Sequence, residues 1–341
     1  MVKGTVAWAL TASLGGRAWA AGVSGRLAAP LEQLEEEARR LSLVALIVRK
    51  GGRDLVSYGE VARVCPVHSM RKSLLSALFG QAVAAGKIDL RETLGALGMN
   101  DDPPLTALEK TATVEDLLKA RSGVYLPLQP GISPLAARPA RGSFEPGTHW
   151  CYNNWDFNAL GEIFRRKTGR DLFQAIANDI ARPIAMQDFD PDRDGRYVYG
   201  HDALGSTPRY PNYRLALSAR DQARFGELYL NGGRSRGVAV IPGDWVKRSL
   251  TAYSQTGQPG SAAGYGYLWW IGTIGVDGRP VTVQSAVGAY GHVTAIMPDH
   301  DTVVVIQPDS AGAGKLTSVQ TDALLVRVAT AVANHSKDGE R

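Results

Sequence analysis

A serine and a lysine three residues apart begin the apolar run of VCPVHSMRKSLLSALFG, residues 64–80. Pro66 ends the extended segment before them, and a serine at a helix start places its hydroxyl at the positive end of the helix dipole. Because residues i and i+3 of a helix share a face, the amine of Lys72 can reach the oxygen of Ser69. A serine hydroxyl is a weak nucleophile without a base. The following leucines predict a buried helix, and since burial lowers the pKa of a lysine, a neutral Lys72 can serve as that base. The alternative is that Ser69 only caps the helix and Lys72 extends to solvent.

A tyrosine and an asparagine follow a Pro-Gly turn in FEPGTHWCYNNWDFNALGEIF, residues 144–164. A phenol such as that of Tyr152 can move a proton, and the amide of Asn154 can hold both a carbonyl group and an amine. The alternative is that Tyr152 packs at the entry of the next helix and that Asn154 is the N-cap of this helix.

A third segment, VTVQSAVGAYGH at residues 281–292, reads as a strand that ends in small residues. Ala286 and Gly288 would let a substrate approach the backbone closely, and a backbone N–H there could stabilise an oxyanion. By itself, a glycine-rich strand end is equally consistent with an ordinary turn.

In this order and spacing, the three segments resemble those of the penicillin-recognising serine hydrolases. This group includes class C β-lactamases, D,D-peptidases, family VIII esterases and 6-aminohexanoate-dimer hydrolases. The likeness extends from about residue 44 to residue 310 and also covers LLKARSGV, LALSARDQARFGELYLNGG and YGYLWW. It implies an antiparallel sheet of the five-stranded type beside a helical domain, with the active site in the cleft between them.

The resemblance also implies roles for individual residues. Ser69 would be the nucleophile, Lys72 its base, and Tyr152 the group that passes a proton to the leaving group. Asn154 would orient Lys72 and the substrate carbonyl. The oxyanion hole would combine the N–H of Ser69 with that of a residue near Ala286. The turn GAYGH resembles the G-x-x-G-Q turn of 6-aminohexanoate-dimer hydrolases, with Gly288 at its start and His292 at the glutamine position.

The sequence departs from the β-lactamase pattern at the closing strand. β-Lactamases have Lys-Thr-Gly there, whereas Val283–Gly288 contains no lysine, arginine or histidine. A substrate carboxylate would lose a charge-assisted contact of roughly 1.5 to 3 kcal/mol. We therefore predict a serine hydrolase, an esterase or amidase, that cleaves a small-molecule ester or amide through an acyl-enzyme. The alternatives are a D,D-peptidase or β-lactamase acting on peptidoglycan-like or β-lactam substrates, and a catalytically silent binding module with the same fold.

The elements around these motifs predict the fold. Residues 30–41 form an amphipathic helix, Gly51-Gly52 joins two strands, and residues 155–167 and 218–230 form helices. After residue 263 the apolar period changes to two, which is typical of an antiparallel meander, and an apolar helix closes the chain. We predict an α/β (α+β) fold in which an antiparallel sheet, flanked by helices and built from both chain ends, carries an inserted, mostly helical domain. The sheet domain comprises residues 30–72 and 255–341, and the helical insertion comprises residues 73–254.

Composition limits the partners. The chain has 341 residues and a net charge of +5, but its 38 basic residues are dispersed among 33 acidic ones, so we predict no nucleic-acid binding. No apolar run is long enough to span a membrane. The two cysteines, Cys65 and Cys151, cannot form a four-thiolate zinc site, and the six histidines show no metal-ligand spacing. The predicted chemistry needs no cofactor.

Three questions stay open from the sequence. Residues 1–29 are a candidate signal peptide or flexible N-terminus, since Ala18 and Ala20 resemble a cleavage site, yet Arg17 lies just before it. Periplasmic or secreted and cytoplasmic locations are therefore both open, as is the oligomeric state. The segment GRSRG around Ser235 matches the nucleophile-elbow pattern, but a helix precedes it and two arginines flank the serine, which indicates an exposed turn.

Overall fold

The computed structural model of the protein describes residues 31–126, 138–198, 209–310, 312 and 314–338. The candidate leader at residues 1–29 lies outside these ranges. None of the helices in the described ranges has the length and hydropathy needed to cross a bilayer.

The strands of the described residues belong mostly to one large sheet. In chain order they are β1 (Leu43–Lys50), β2 (Arg53–Gly59), β3 (Cys65–Pro66), β4 (Gly195–Val198), β5 (Asn212–Leu217), β6 (Arg234–Ser235), β7 (Val238–Ala239), β8 (Ser254–Gln255), β9 (Gly264–Tyr265), β10 (Trp270–Val276), β11 (Arg279–Val287), β12 (Val293–Met297) and β13 (Thr302–Pro308). The main sheet has eight antiparallel strands in the order β2-β1-β13-β12-β11-β10-β9-β8. Both ends of the chain therefore contribute to it.

Helices cover both faces of this sheet. In chain order they are α1 (Leu31–Arg40), α2 (Arg71–Ala84), α3 (Val114–Leu118), α4 (Asn154–Thr168), α5 (Leu172–Ile176), α6 (Pro191–Asp194), α7 (Ala219–Leu230), α8 (Gly243–Ser249) and α9 (Ser318–Asp338). Side chains of α1 and α9 share a hydrophobic cluster with one face of the sheet, and side chains of α7 pack on the opposite face. Because both faces are covered, β12 and β13 are buried along their whole length. Their sequences, VTAIM and TVVVIQP, accordingly contain consecutive apolar residues rather than a strict alternation of apolar and polar ones.

The predicted fold class is confirmed: an antiparallel sheet formed from both chain ends is flanked by helices. The sheet is larger than the five-stranded type: six longer strands, β2 to β10 in the sheet order, are extended beyond β10 by the short strands β9 and β8. The helix predicted at 218–230 is α7. It packs against β12 and β13, although the sequence-based division assigns it to the helical insertion.

Helix α2 lies in the centre of the largest hydrophobic cluster. Its residues from Arg71 to Gly80 are all buried, which is the pattern of a helix surrounded by protein rather than of an amphipathic surface helix. Gly80 lets it approach α8, because a Cβ built at this position would lie 2.4 Å from the indole ring of Trp245. This dense packing fixes the position of the residues at the N-terminal end of α2.

The region between α5 and α7 contains the short helix α6 and strands β4 and β5. Strand β5 pairs with β3 immediately before the predicted nucleophile, so that Cys65 lies opposite Leu217. Ser235 lies in a small hairpin formed by β6 and β7. Both cysteines are buried free thiols.

Candidate active site

Ser69 lies in a single turn of 3-10 helix, His68–Met70, directly before α2. His68 has a φ of 50°, in the left-handed region that non-glycine residues rarely occupy. The N-cap residue of α2 is Met70, and no side chain caps this helix end. The alternative in which Ser69 serves as a helix cap is therefore wrong. The tight turn before α2 leaves its hydroxyl available for another partner.

That partner is Lys72, whose side chain is only 2% exposed. Its Nζ atom lies 2.6 Å from Ser69 Oγ and 2.9 Å from the hydroxyl of Tyr152. Desolvation lowers the pKa of Lys72 well below the ordinary value of 10.5, and the charge of Arg71 lowers it further. The alternative in which Lys72 extends to solvent is therefore wrong. A buried amine with a lowered pKa can accept a proton from the serine that it contacts.

Tyr152 joins this pair from the loop before α4. Its ring stacks on Trp270, with centroids 5.4 Å apart, and lies 4.9 Å from the ring of Phe157. Burial raises the pKa of Tyr152, an effect that its hydrogen bond with Ser69 and the charge of Arg71 partly offset. The tyrosine is thus a neutral phenol that aromatic packing holds within reach of both the serine and the amine.

The alternative in which Asn154 is the N-cap of α4 is wrong. Asn153, not Asn154, is the N-cap of α4, because its side-chain oxygen accepts a hydrogen bond from the N–H of Trp155. The amide of Asn153 also donates to the carbonyl of Val124 and to Asp156. Asn154 is the first residue of α4, is partly buried, and makes no side-chain hydrogen bond to a described residue. Among the described residues, the amide of Asn154 has no hydrogen-bond partner, whereas the amide of Asn153 is bonded to the protein around it.

Sequence reasoning missed Arg71, which is 5% exposed. Its guanidinium donates to the carbonyl of His68 at 2.8 Å and lies 4.8 Å from the ring centroid of Tyr213. Across the described ranges it forms no ion pair with a carboxylate. The sequence did contain a signal for Arg71. Like Lys72, it is a cation at the start of an apolar helix, and a cation at such a position is unusual. Arg71 adds a positive charge beside Lys72 and so favours the neutral amine.

The opposite wall of the cleft is the end of β11 and the turn that follows it. A Cβ built on Gly288 would lie 2.4 Å from the carbonyl oxygen of Val67, two residues before Ser69. Only a glycine therefore allows this turn to approach so closely. Ala286 is buried within β11 and pairs with Thr294 of β12.

His292 closes the turn and is completely buried. Its ring centroid lies 5.3 Å from that of His68, and neither of its nitrogens has a hydrogen-bond partner. Burial, with a smaller contribution from His68, lowers the pKa of His292 to about 4. His292 is therefore a neutral side chain packed beneath the turn. The preceding Tyr290 is 45% exposed at the rim of the cleft.

The described residues contain no cluster of three or more histidine, cysteine, aspartate or glutamate side chains that could hold a metal ion. What the site brings together is a serine, a buried amine, a phenol and a strand end.

Comparisons with solved structures place this architecture among known folds. The chain superposes on a protein from Bacillus anthracis that is named as a 6-aminohexanoate-dimer hydrolase, with a TM-score of 0.66 and 19% identity over 89% of this chain and 82% of the other. It also superposes on D-amino acid amidase from Ochrobactrum anthropi, with a TM-score of 0.63 and 15% identity over 90% of this chain and 98% of the other. At these identities the likeness shows a shared fold.

A curated relative, D-aminopeptidase from Brucella ovis, is 37% identical over 68 residues. The match covers 20% of this chain and only 13% of the relative's length. The family model named Beta-lactamase matches residues 27–327, which is most of the chain. The chain therefore belongs to the Beta-lactamase family of hydrolases.

Proposed function

We propose that the protein is a serine hydrolase that cleaves a carboxylic ester or amide through an acyl-enzyme, with Ser69, Lys72 and Tyr152 as its catalytic residues. The observation that carries this proposal is the position of one buried amine within hydrogen-bonding distance of both hydroxyls, 2.6 Å from Ser69 Oγ and 2.9 Å from Tyr152 OH. The names of the relatives, an aminopeptidase and an amidase, are consistent with cleavage of an amide.

In the proposed reaction, neutral Lys72 accepts the hydroxyl proton of Ser69 while Oγ attacks the carbonyl carbon. The tetrahedral intermediate collapses with cleavage of the C–O or C–N bond, and Tyr152 gives its proton to the departing oxygen or nitrogen. Lys72 returns a proton to Tyr152 and is again neutral. Water then attacks the acyl-enzyme and gives a proton to Lys72. Lys72 passes this proton to Oγ of Ser69 as the ester bond of the acyl-enzyme breaks, so the carboxylic acid is released and Ser69 and neutral Lys72 are restored.

The oxyanion hole would combine the N–H of Ser69 with one N–H of the closing strand. The pairing of β10 with β11 ends where Trp270 lies opposite Ser285. Beyond Ser285, the side of β11 that would face β10 therefore has no partner strand. We call this side of residues 286–287 the free edge. The N–H of Gly288 donates to the carbonyl of His292 on the other side. Since N–H directions alternate along a strand, the N–H of Ala286 also points away from the cleft. The residue of β11 near Ala286 whose N–H faces the free edge is Val287, and we propose it as the second donor.

Asn154 was expected to orient both Lys72 and the substrate carbonyl, but the hydrogen bonds of Lys72 go to Ser69 and Tyr152. Because the amide of Asn154 makes no hydrogen bond to a described residue, we propose for it only the second role, binding of the substrate carbonyl. The same role is not open to Asn153, whose amide is already bonded to Val124 and Asp156. We propose that Gly288 sets the distance between the closing turn and the nucleophile, and that His292 supports the turn from below.

A D,D-peptidase or β-lactamase activity is the second candidate, and one observation favours it. Lys315 lies with its Nζ 4.8 Å from the ring centroid of the exposed Tyr290, at the end of the closing turn. This lysine could bind the carboxylate of a β-lactam from a different element than the closing strand. Lys315 is itself exposed, however, and an exposed cation contributes less than a buried one. We therefore rank ester or amide cleavage first, and a catalytically silent binding module last.

The experiment compares a p-nitrophenyl ester, a linear p-nitroanilide and nitrocefin as substrates of the purified full-length chain. We expect turnover of the ester or the anilide, with loss of activity in Ser69→Ala and retention in Ser235→Ala. Faster turnover of nitrocefin, abolished by Lys315→Ala, would favour the second candidate. A lack of turnover of all three, with no covalent adduct on Ser69 by mass spectrometry, would favour the binding module.

A further inference from the structure

Three aromatic side chains from two distant parts of the chain, residue 150 and residues 265–270, meet beside Tyr152. Trp270 stacks on the Tyr152 ring, Trp150 meets Trp270 edge to face at 5.9 Å, and Tyr265 lies 5.1 Å from Trp270. We call Trp150, Tyr265 and Trp270 the aromatic shelf. Tyr265 is buried, whereas Trp150 and Trp270 are only partly buried. Part of the surface of Trp150 and of Trp270 is therefore accessible to a ligand.

The position of the shelf places it beside the expected path of the leaving group. Trp270 is the first residue of β10 and pairs with Ser285, the residue of β11 immediately before the free edge. A substrate carbonyl held by the free edge and attacked by Ser69 must direct its leaving group towards the hydroxyl of Tyr152, which protonates it. The ring that stacks on Tyr152 is that of Trp270. The leaving group thus departs alongside the shelf.

The chemistry of the shelf defines what it would bind. Indole and phenol rings offer large apolar faces and carry no charge, and they favour other aromatic groups in stacked or edge-to-face contact. Lys72 and Arg71, the two cations at the start of α2, are nearly completely buried, so neither offers an exposed charge to a leaving group. A neutral, apolar leaving group fits this surface better than a charged or strongly hydrated one.

We propose that the aromatic shelf binds the leaving group, and that the enzyme prefers esters and amides whose departing alcohol or amine carries an uncharged aromatic or bulky apolar group. This inference rests on the proposed function, and it makes Trp270 and Trp150 specificity-determining residues. The acyl side of the substrate lies away from the shelf and is not selected by it.

The test compares kcat/KM for a benzyl ester with kcat/KM for the methyl ester of the same acid. Both rates are measured from the amount of acid released, and the result is the ratio of the two values. We expect the wild type to favour the benzyl ester and Trp270→Ala to reduce the ratio about tenfold, since one aromatic contact and its buried area are lost. Trp270→Phe should restore most of the ratio. Tyr58→Ala, which removes a partly buried aromatic residue on strand β2 at the far edge of the sheet, should leave the ratio unchanged.

Two results would overturn the inference while the proposed function stands. One is a wild-type ratio of one or less in an enzyme whose activity depends on Ser69. The other is an equal loss of kcat/KM for both esters in Trp270→Ala, which would show that Trp270 only positions Tyr152. If Trp270→Ala does not fold, Trp150→Ala tests the same ratio. Retention of activity in Ser69→Ala would instead overturn the proposed function, and the inference with it.

Discussion

The two walls of the cleft are built in different ways. On one wall, packing holds the proposed catalytic groups: residues 71–80 of α2 are all buried, Lys72 is 2% exposed, and Tyr152 packs against the rings of Trp270 and Phe157. On the other wall, the backbone is the part that we propose to contact the substrate, and the turn after β11 approaches the segment before Ser69 only because residue 288 is a glycine. We infer that the first wall sets the chemistry and the second sets the position of the substrate. Substitutions on the two walls should therefore have different kinetic effects.

The largest effect is expected on the packed wall. Lys72→Met keeps a long side chain in the buried site but removes the base, so kcat should fall by about 10³-fold or more. Thermal unfolding should show that the variant is folded, because an uncharged chain replaces a buried amine. Lys87→Met, at an exposed lysine just after α2, is the matched control and should behave like the wild type. A Lys72→Met variant that retains a tenth of the activity would contradict a lysine base.

A smaller effect on the same wall should depend on the leaving group. Tyr152→Phe keeps the ring that stacks on Trp270 and removes only the proton donor. We expect kcat for a linear alkyl amide to fall by about 10²-fold, since an amine cannot leave without a proton. A p-nitrophenyl ester should be affected much less, because p-nitrophenolate leaves unprotonated. Equal losses for both substrates would argue that Tyr152 serves only to position Lys72.

On the backbone wall, Gly288→Ala would place a Cβ 2.4 Å from the carbonyl oxygen of Val67, so the turn must move away from Ser69. Because oxyanion contacts depend on sub-ångström positions, kcat should fall by about tenfold. The control is Gly275→Ala on β10, where a Cβ would meet no atom within 4 Å. Steady-state kinetics of both variants, with thermal unfolding to confirm their folding, test this difference. Equal activity of the two variants would remove the turn from the proposed oxyanion hole.

The last effect concerns stability rather than turnover, and we expect it to leave kcat nearly unchanged at neutral pH. Burial lowers the pKa of His292 to about 4 in the folded protein, below the value of 6.5 expected in the unfolded chain. Between these values the unfolded state binds more protons, so the free energy of unfolding should decrease as the pH falls from about 6.5 to 4, by on the order of 3 kcal/mol. Below pH 4 this contribution should stay constant.

His292→Gln should weaken this pH dependence, whereas His335→Gln, at an exposed histidine of α9, should not. Urea unfolding at pH 7 and pH 4.5 measures the difference. If both variants lose the same stability on acidification as the wild type, His292 is not the group that titrates.

The packed wall was the easier one to predict from the sequence. The spacing of Ser69 and Lys72, and the apolar run after them, are local signals that require only a helix. The backbone wall depends on which side of β11 each N–H faces. The direction of each N–H depends on the register of β11 with β10 and β12. This register cannot be predicted from the segment VTVQSAVGAYGH alone. The turn that presents Ser69 was also unforeseen, since nothing in the sequence marks His68 for a positive φ.

Contacts between distant residues explain the other differences. Trp150 and Trp270 are separated by 120 positions in the chain, so only the folded structure shows that they meet beside Tyr152. Asn153 and Asn154 are equally good N-cap residues by type, and the choice between them depends on where α4 begins. Arg71 was overlooked although it shares with Lys72 the unusual position of a cation in a buried helix.

The central claim is that a neutral Lys72 activates Ser69, and the most direct measurement is the rate of covalent labelling by a fluorophosphonate between pH 5 and 10, with the labelled peptide identified by mass spectrometry. The structure predicts modification of Ser69, at a rate that rises with pH through a midpoint below the pKa of 10.5 of an ordinary lysine. Lys72→Met should be labelled far more slowly. A rate that does not change with pH, a midpoint at or above that of free lysine, or a label on Ser235 would contradict it.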